Sequence, residues 1–139
     1  MFALAGLRIG YGVFPERLAA ALRDHKEPWS VNTLGQKAGI AAINDLPYKA
    51  KSLSFIGEEK RFLEKGLKGL GIDYLPSAVN YYLARMDNAE QAIASLRKKG
   101  ILLRGCSDFT GLDSSSFRIA VRTRSENETL LRELQKQVF

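Results

Sequence analysis

Phe117-Arg118-Ile119-Ala120-Val121-Arg122-Thr123-Arg124 alternates apolar and polar residues with period two. That period predicts a half-buried strand, with Phe117, Ile119, Val121 and Thr123 on one face and Arg118, Ala120, Arg122 and Arg124 on the other. Three guanidiniums on one strand face repel one another unless water or an anion lies between them. Arginine presents a planar fork suited to carboxylate and phosphate, so the strand reads as part of an anion site. A solvated strand face with chance spacing explains the same pattern equally well, because surface charge is common.

Working outward, Ser125 and Glu128 have capping-box spacing, and Leu130, Leu131, Leu134 and Val138 put an apolar stripe on a terminal helix. Upstream, Ile101 to Arg104 predicts a short strand entering Gly105-Cys106-Ser107-Asp108-Phe109, with a turn-rich link over 111–116. Asp87 with Glu90 suggests another capping box. Ala89, Ala92, Ile93 and Leu96 then follow helical spacing up to Gly100. Val79 to Arg85 is aromatic and aliphatic, as strands are. Ile56, Leu63, Leu67 and Leu70 stripe a longer helix over about 48–70, stopped by Gly69 and Gly71. The order helix, strand, helix, strand, strand, helix predicts an α+β layer of helices on a small sheet over 47–139.

The first thirty residues do not join that pattern smoothly and read as the tail of something larger. Leu7, Ile9, Tyr11 and Val13 alternate with Arg8, Gly10 and Gly12, which predicts a strand near other backbone or a ligand. Pro15 suits the first helical position of a short helix ending near His25. Trp29, Ser30 and Asn32 predict an ordered loop leading to a helix cap, followed by an Ala- and Gly-rich helix over 33–44 that Pro47 interrupts.

Hydrophobic residues make up 45% and charged residues 26%, a globular rather than disordered composition. The net charge of +6, from 21 Lys and Arg against 15 Asp and Glu, favours anionic partners. Those cations are scattered, apart from Lys98-Lys99 and the arginine strand, which argues against nucleic acid. Cys106 stands alone, so no internal disulfide forms, and the composition fits a reducing cytoplasm. No apolar run approaches the ~18 residues that span a bilayer, and the first residues lack the basic start of a secretory signal. His25 and Cys106 lie too far apart in sequence to suggest a metal site. Cys106 reads as a small packing residue and His25 as a cation at a helix end. Neither glycine-rich phosphate-loop motif is present. What remains is arginine: Arg8, Arg104, Arg118 and Arg122.

Two segments carry a resemblance. Ala5-Gly6-Leu7-Arg8-Ile9-Gly10-Tyr11 resembles the G-x-R-x-G-[FY] element of fold-type I pyridoxal-phosphate enzymes. Phe117 to Thr123, with Glu126-Asn127 after it, resembles that family's C-terminal strand bearing the substrate-carboxylate arginine. Pro28 to Asn32, Asn80 to Arg85 and Leu103 to Phe109 add to it in the right order. The resemblance implies the C-terminal small domain of the fold, over 47–139, plus a remnant of the large cofactor-binding domain over 1–46. Within the superfamily the chain looks most similar to L-threonine O-phosphate decarboxylase of cobalamin synthesis, with histidinol-phosphate aminotransferase next.

Carried over residue by residue, the resemblance makes Arg8 the ligand of the cofactor phosphate and Arg118 the clamp on the substrate α-carboxylate. Arg104 falls where phosphate-substrate members hold the distal phosphate. Arg122 is either a neighbour of that site or a surface residue, and Asn32 and Trp29 are expected to line the site near the domain junction. The cofactor implied is pyridoxal 5'-phosphate, the substrate a phosphorylated amino acid, and the assembly a cytoplasmic homodimer without nucleic-acid or membrane partners. The family's Schiff-base lysine would fall immediately before Met1, and Lys26 is the first lysine present. The 139 residues are therefore expected to be a C-terminal fragment, inactive alone. The rivals are a free-standing anion-binding module, a nucleic-acid binder, and a fragment that dimerises through the apolar residues 1–14.

Overall fold

The computed structural model describes residues 2–138. The chain resolves into two compact units, one reaching to Leu53 and the other beginning at Ser54.

The first unit contains a 3-10 turn at Leu4–Leu7, α1 (Glu16–Asp24), α2 (Thr33–Asn44) and the opening turns of α3 (Leu46–Gly69). The strand expected over residues 1–14 does not form within the described residues. A strand is held by ladder bonds to a neighbour, and no strand lies alongside this segment among the described residues. Instead, Ala3 and Arg8 flank the 3-10 turn with left-handed backbones, at φ 53° and 56°. Pro15 sits just outside α1, where its carbonyl accepts the Ala19 N–H at 2.9 Å. Asn32 caps α2 as expected, its Oδ1 accepting the Gly35 N–H at 2.8 Å. Pro47 does not interrupt the next helix, because it lies in the first turn of α3, where a proline removes no helical hydrogen bond.

The second unit is a four-stranded antiparallel sheet with helices packed on one face. Its strands are β1 (Asp73–Tyr74), β2 (Tyr81–Arg85), β3 (Arg104–Gly105) and β4 (Ser116–Ala120), in the spatial order β1-β2-β4-β3. The remainder of α3, α4 (Ala89–Lys98) and α5 (Arg124–Val138) supply the helical layer. Tyr82, Ala84, Phe117 and Ile119 from the inner sheet face join Leu63, Leu67, Leu96 and Leu134 in the core. Gly66 on α3 leaves room for Leu131 of α5: a Cβ at that glycine would lie 2.3 Å from Leu131 Cδ1. Gly71 ends α3 with φ +69°, and Gly100 follows α4 with φ +78°.

The α+β class stands, with local differences. β4 ends at Ala120, yet the Val121 N–H still bonds the Asn80 carbonyl at 2.8 Å, and burial alternates through Arg122. Arg124 is not on the strand face. It opens α5 and turns its guanidinium onto Glu59, with Nε 3.1 Å from Oε1. Helix-cap chemistry begins at Thr123 rather than Ser125, because Glu126 reaches back to accept the Thr123 N–H at 3.1 Å. Asn88, not Asp87, precedes α4, and it makes no side-chain cap bond. β3 is limited to two residues.

Candidate functional site

The face of the sheet opposite the core carries the arginines. In the β3–β4 ladder Arg104 pairs directly with Arg118, and in the β2–β4 ladder Arg118 faces Leu83. Side chains directly opposite across antiparallel strands have Cβ atoms about 5 Å apart, and like charges there are destabilising. Two exposed arginines therefore stand side by side on one face of the sheet.

Their other partners differ. Arg118 lies over the Tyr81 ring, 5.0 Å from its centroid, and is in no ion pair among the described residues. The ring holds the guanidinium plane itself, while its edge N–H groups have no carboxylate partner among the described residues. Arg104 lies 5.6 Å from the centroid of Phe109 and is ion-paired with Asp108. An incoming anion at Arg104 thus competes with a carboxylate, whereas one at Arg118 does not. Both members of this ion pair are more than half exposed, so it is weak. Ser116, buried on the same strand, marks the far end of the face, where Arg85 is tied to Asp113 at 2.8 Å and to Ser115 at 2.8 Å.

Arg122 is employed differently. Its guanidinium bonds Glu126 Oε1 through Nη2 at 2.7 Å and Nε at 3.1 Å. Thr123 and Arg122 together hold the Glu126 carboxyl down at about 2, the Thr123 hydroxyl contributing most. Behind this turn, Asn127 is fully buried. Its Oδ1 accepts the Arg122 N–H at 3.1 Å, and its Nδ2 donates to the Arg122 carbonyl at 2.9 Å and to Glu59 Oε2 at 3.0 Å. Glu59 is buried and held below the usual carboxylate range, chiefly by the Arg124 hydrogen bond working against desolvation.

In the first unit, Arg8 is exposed, and Nη1 donates only to the Ala5 carbonyl at 3.3 Å. It is in no ion pair among the described residues. Asn32 ties the segment down: its Nδ2 donates to the Leu7 carbonyl at 2.8 Å, so the same side chain caps α2 and positions the residue before Arg8. A Cβ at Gly6 or Gly10 would meet nothing within 4 Å, so the backbone on both sides of Arg8 is open to close approach. An unneutralised guanidinium between two open glycines fits the phosphate end of pyridoxal phosphate. The position expected for the Schiff-base lysine lies outside the described residues.

Trp29 is 96% exposed with φ 60°, an uncommon conformation for a bulky side chain. Cys106 is buried, its thiol directed at the Arg104 carbonyl, in agreement with a packing role. Tyr81, Phe109 and Asp108, which shape the arginine face, were not assigned roles from sequence. Asp108 and Phe109 follow Arg104 closely in sequence, whereas Tyr81 meets Arg118 only through the pairing of β2 with β4, and that register depends on distant segments.

The family described as aminotransferase class I and II matches residues 1–134. Among curated relatives, a histidinol-phosphate aminotransferase of Nitratidesulfovibrio vulgaris is 35% identical over 131 residues, covering 94% of this chain and 35% of the relative. The chain thus spans about a third of that relative's length. Among solved structures, histidinol-phosphate aminotransferase from Clostridium acetobutylicum superposes with a TM-score of 0.86 at 32% identity, covering 99% of this chain and 42% of that one. L-threonine-O-3-phosphate decarboxylase from Porphyromonas gingivalis gives a TM-score of 0.72 at 27% identity, covering 96% and 42%.

Proposed function

The chain belongs to the aminotransferase class I and II family, and from that premise we propose that it grips the phosphate of pyridoxal phosphate through Arg8 and an anionic amino substrate through Arg118 and Arg104. The observation that carries the proposal is the direct cross-strand pairing of Arg104 with Arg118 on the open sheet face. A ligand bearing two anionic groups relieves the repulsion between the guanidiniums and gives each a charge-assisted partner. L-Threonine O-phosphate, with a carboxylate at one end and a phosphate at the other, has that form. Arg118 is assigned the carboxylate, since nothing competes for its fork, and Arg104 the phosphate, whose higher charge displaces Asp108. Asn32 serves by holding the backbone before Arg8, and Arg122 by fixing the end of β4 through Glu126.

Pyridoxal phosphate, when bound, supplies the electron sink for breaking a bond at the amine-bearing carbon. The part of these residues is orientation, because a carboxylate held at Arg118 fixes which bond at that carbon stands in line to break. In the intact enzyme this orientation favours a decarboxylase-like activity; a place in cobalamin synthesis and a homodimeric assembly are proposed with it. A second reading, amino-group transfer from histidinol phosphate, is favoured by the identity to histidinol-phosphate aminotransferases. That substrate carries no carboxylate, so both arginines would share one phosphate.

Calorimetric titration of the chain with L-threonine O-phosphate and with histidinol phosphate tests the proposal. L-Threonine O-phosphate is expected to bind, and Arg118→Ala or Arg104→Ala each to weaken it by about tenfold or more, the magnitude of one lost charge-assisted pair. Affinity unchanged in both variants would overturn the assignment, and preference for histidinol phosphate would favour the second reading. Because Lys26 is the first lysine in residues 1–139, these residues alone are proposed to be inactive. Release of CO2 from L-threonine O-phosphate by this chain with added cofactor would refute that.

A further inference from the structure

A second concave site lies on the helical side of the sheet, away from the arginine face. β3 is an edge strand, and its register directs Arg104 to the open face and Gly105, opposite Phe117, toward the helices. An inward position on an edge strand ordinarily carries an apolar side chain against the covering helix. Here it carries none. A Cβ at Gly105 would only touch Ile93 Cδ1 of α4 at 3.6 Å, so the absent side chain leaves space rather than a tight fit. The result is an open groove of about 610 Å³ between α4 and the segment following β3.

Its chemistry is directional. Ile93, Ala94, Gly105 and Cys106 give it an apolar lining, to which Ser107, Ser114 and Ser116 add small polar residues. Arg97 and Lys98 flank one end, both exposed and in no ion pair among the described residues. Glu90 lies seven positions earlier on α4, about 10 Å along the helix axis at 1.5 Å per residue. The C-terminus of α4 itself disfavours an anion, so any anionic group must be held by the two side chains rather than by the helix end.

We propose that this groove is a binding site for a small organic anion, with its apolar body on the Ile93–Gly105 floor and its phosphate or carboxylate at Arg97 and Lys98. Its cations are not Arg104 and Arg118, although Ser116 at the far end of their face also lines it, and it does not depend on the function proposed for that face. Glu90 sets the orientation: it repels an anionic head at its own end and accepts a donor there.

The test is a backbone-amide NMR titration of the chain with phenyl phosphate and phenylacetate, with inorganic phosphate as the head-group control. Saturable shifts at Ile93, Ala94, Gly105 and Ser107 are expected with both aromatic anions, and weaker binding with inorganic phosphate. Arg97→Ala with Lys98→Ala should reduce affinity by about fivefold or more, the sum of two exposed charge contacts. Gly105→Leu should occupy the floor and abolish binding. The inference is overturned if shifts concentrate on Tyr81, Arg104 and Arg118, if the double variant binds as before, or if inorganic phosphate binds as tightly as phenyl phosphate. It also fails if no saturation occurs at millimolar concentration.

Discussion

Arg118 is placed where a protein selected only for stability would not place it. It faces Arg104 across the ladder and is balanced by an aromatic ring rather than a carboxylate. Removing one of two opposed like charges relieves up to about 1 kcal/mol of cross-strand repulsion. Arg118→Thr is therefore expected to leave the thermal midpoint unchanged or slightly higher in anion-free buffer, while abolishing most of the rise that inorganic phosphate causes in the parent chain. Differential scanning fluorimetry with and without phosphate reads both effects, and a lower anion-free midpoint would contradict them. Asn127 is the opposite case. Its amide satisfies both backbone groups of Arg122 and one oxygen of buried Glu59. Asn127→Ala leaves both Arg122 backbone groups without this partner and Glu59 with Arg124 alone, and should cost about 2–3 kcal/mol in urea unfolding, within the range for buried hydrogen bonds to charged groups. Asn127→Asp should cost more, since it sets a second carboxylate against Glu59.

At the scale of elements, α5 is anchored by carboxylates that favour their charged form. Glu126 caps its start and is held at about 2; Glu133 is held at about 2 chiefly by Lys136, then Lys99. Both are depressed from an ordinary 4.5. A depressed carboxylate contributes stability that is fully present above its unfolded pKa and is lost as pH falls through the folded one. Urea midpoints should therefore decline between about pH 4.5 and 2, and the decline should be shallower in Glu126→Gln and Glu133→Gln. A parallel decline in parent and variants would exclude these groups. The same element shows what sequence conveys. The alternation through Arg122 and the apolar stripe of α5 were legible because both are local periods. The helix start was not, because Thr123-x-x-Glu126 and Ser125-x-x-Glu128 satisfy one pattern equally, and buried Asn127 with its bond to Glu59 selects the first. The strand reading of residues 1–14 failed for a related reason: alternation describes a strand only where a neighbour completes the ladder. The arginines were legible as a class of residue, whereas the opposition of Arg104 and Arg118 required the register.

Across the whole molecule, apolar burial is uneven. Every member of the buried core cluster lies between Leu63 and Leu134. α1 has no buried residue, and α2 buries only Gly35. Leu34, Ile40 and Ile43 on α2 are 70%, 65% and 71% exposed. Local opening free energy follows the apolar surface and packed neighbours that an element must give up, so the two units should not open together. Hydrogen exchange is expected to show the slowest amides at Leu63, Leu67, Tyr82, Ile119 and Leu134, with rates set by global unfolding of the second unit. Amides of α1 and α2 should exchange faster by orders of magnitude, despite intact helical hydrogen bonds, because short helices without a buried face are marginal in water. The exposed apolar side chains of α2 add a concentration dependence. If they associate between copies, protection in α2 should rise with protein concentration while that of the second unit stays constant, because only the former gains a buried face. Equal protection of α2 and the β2–β4 pair at low concentration would show that the first unit draws stability from elsewhere, and would refute this division.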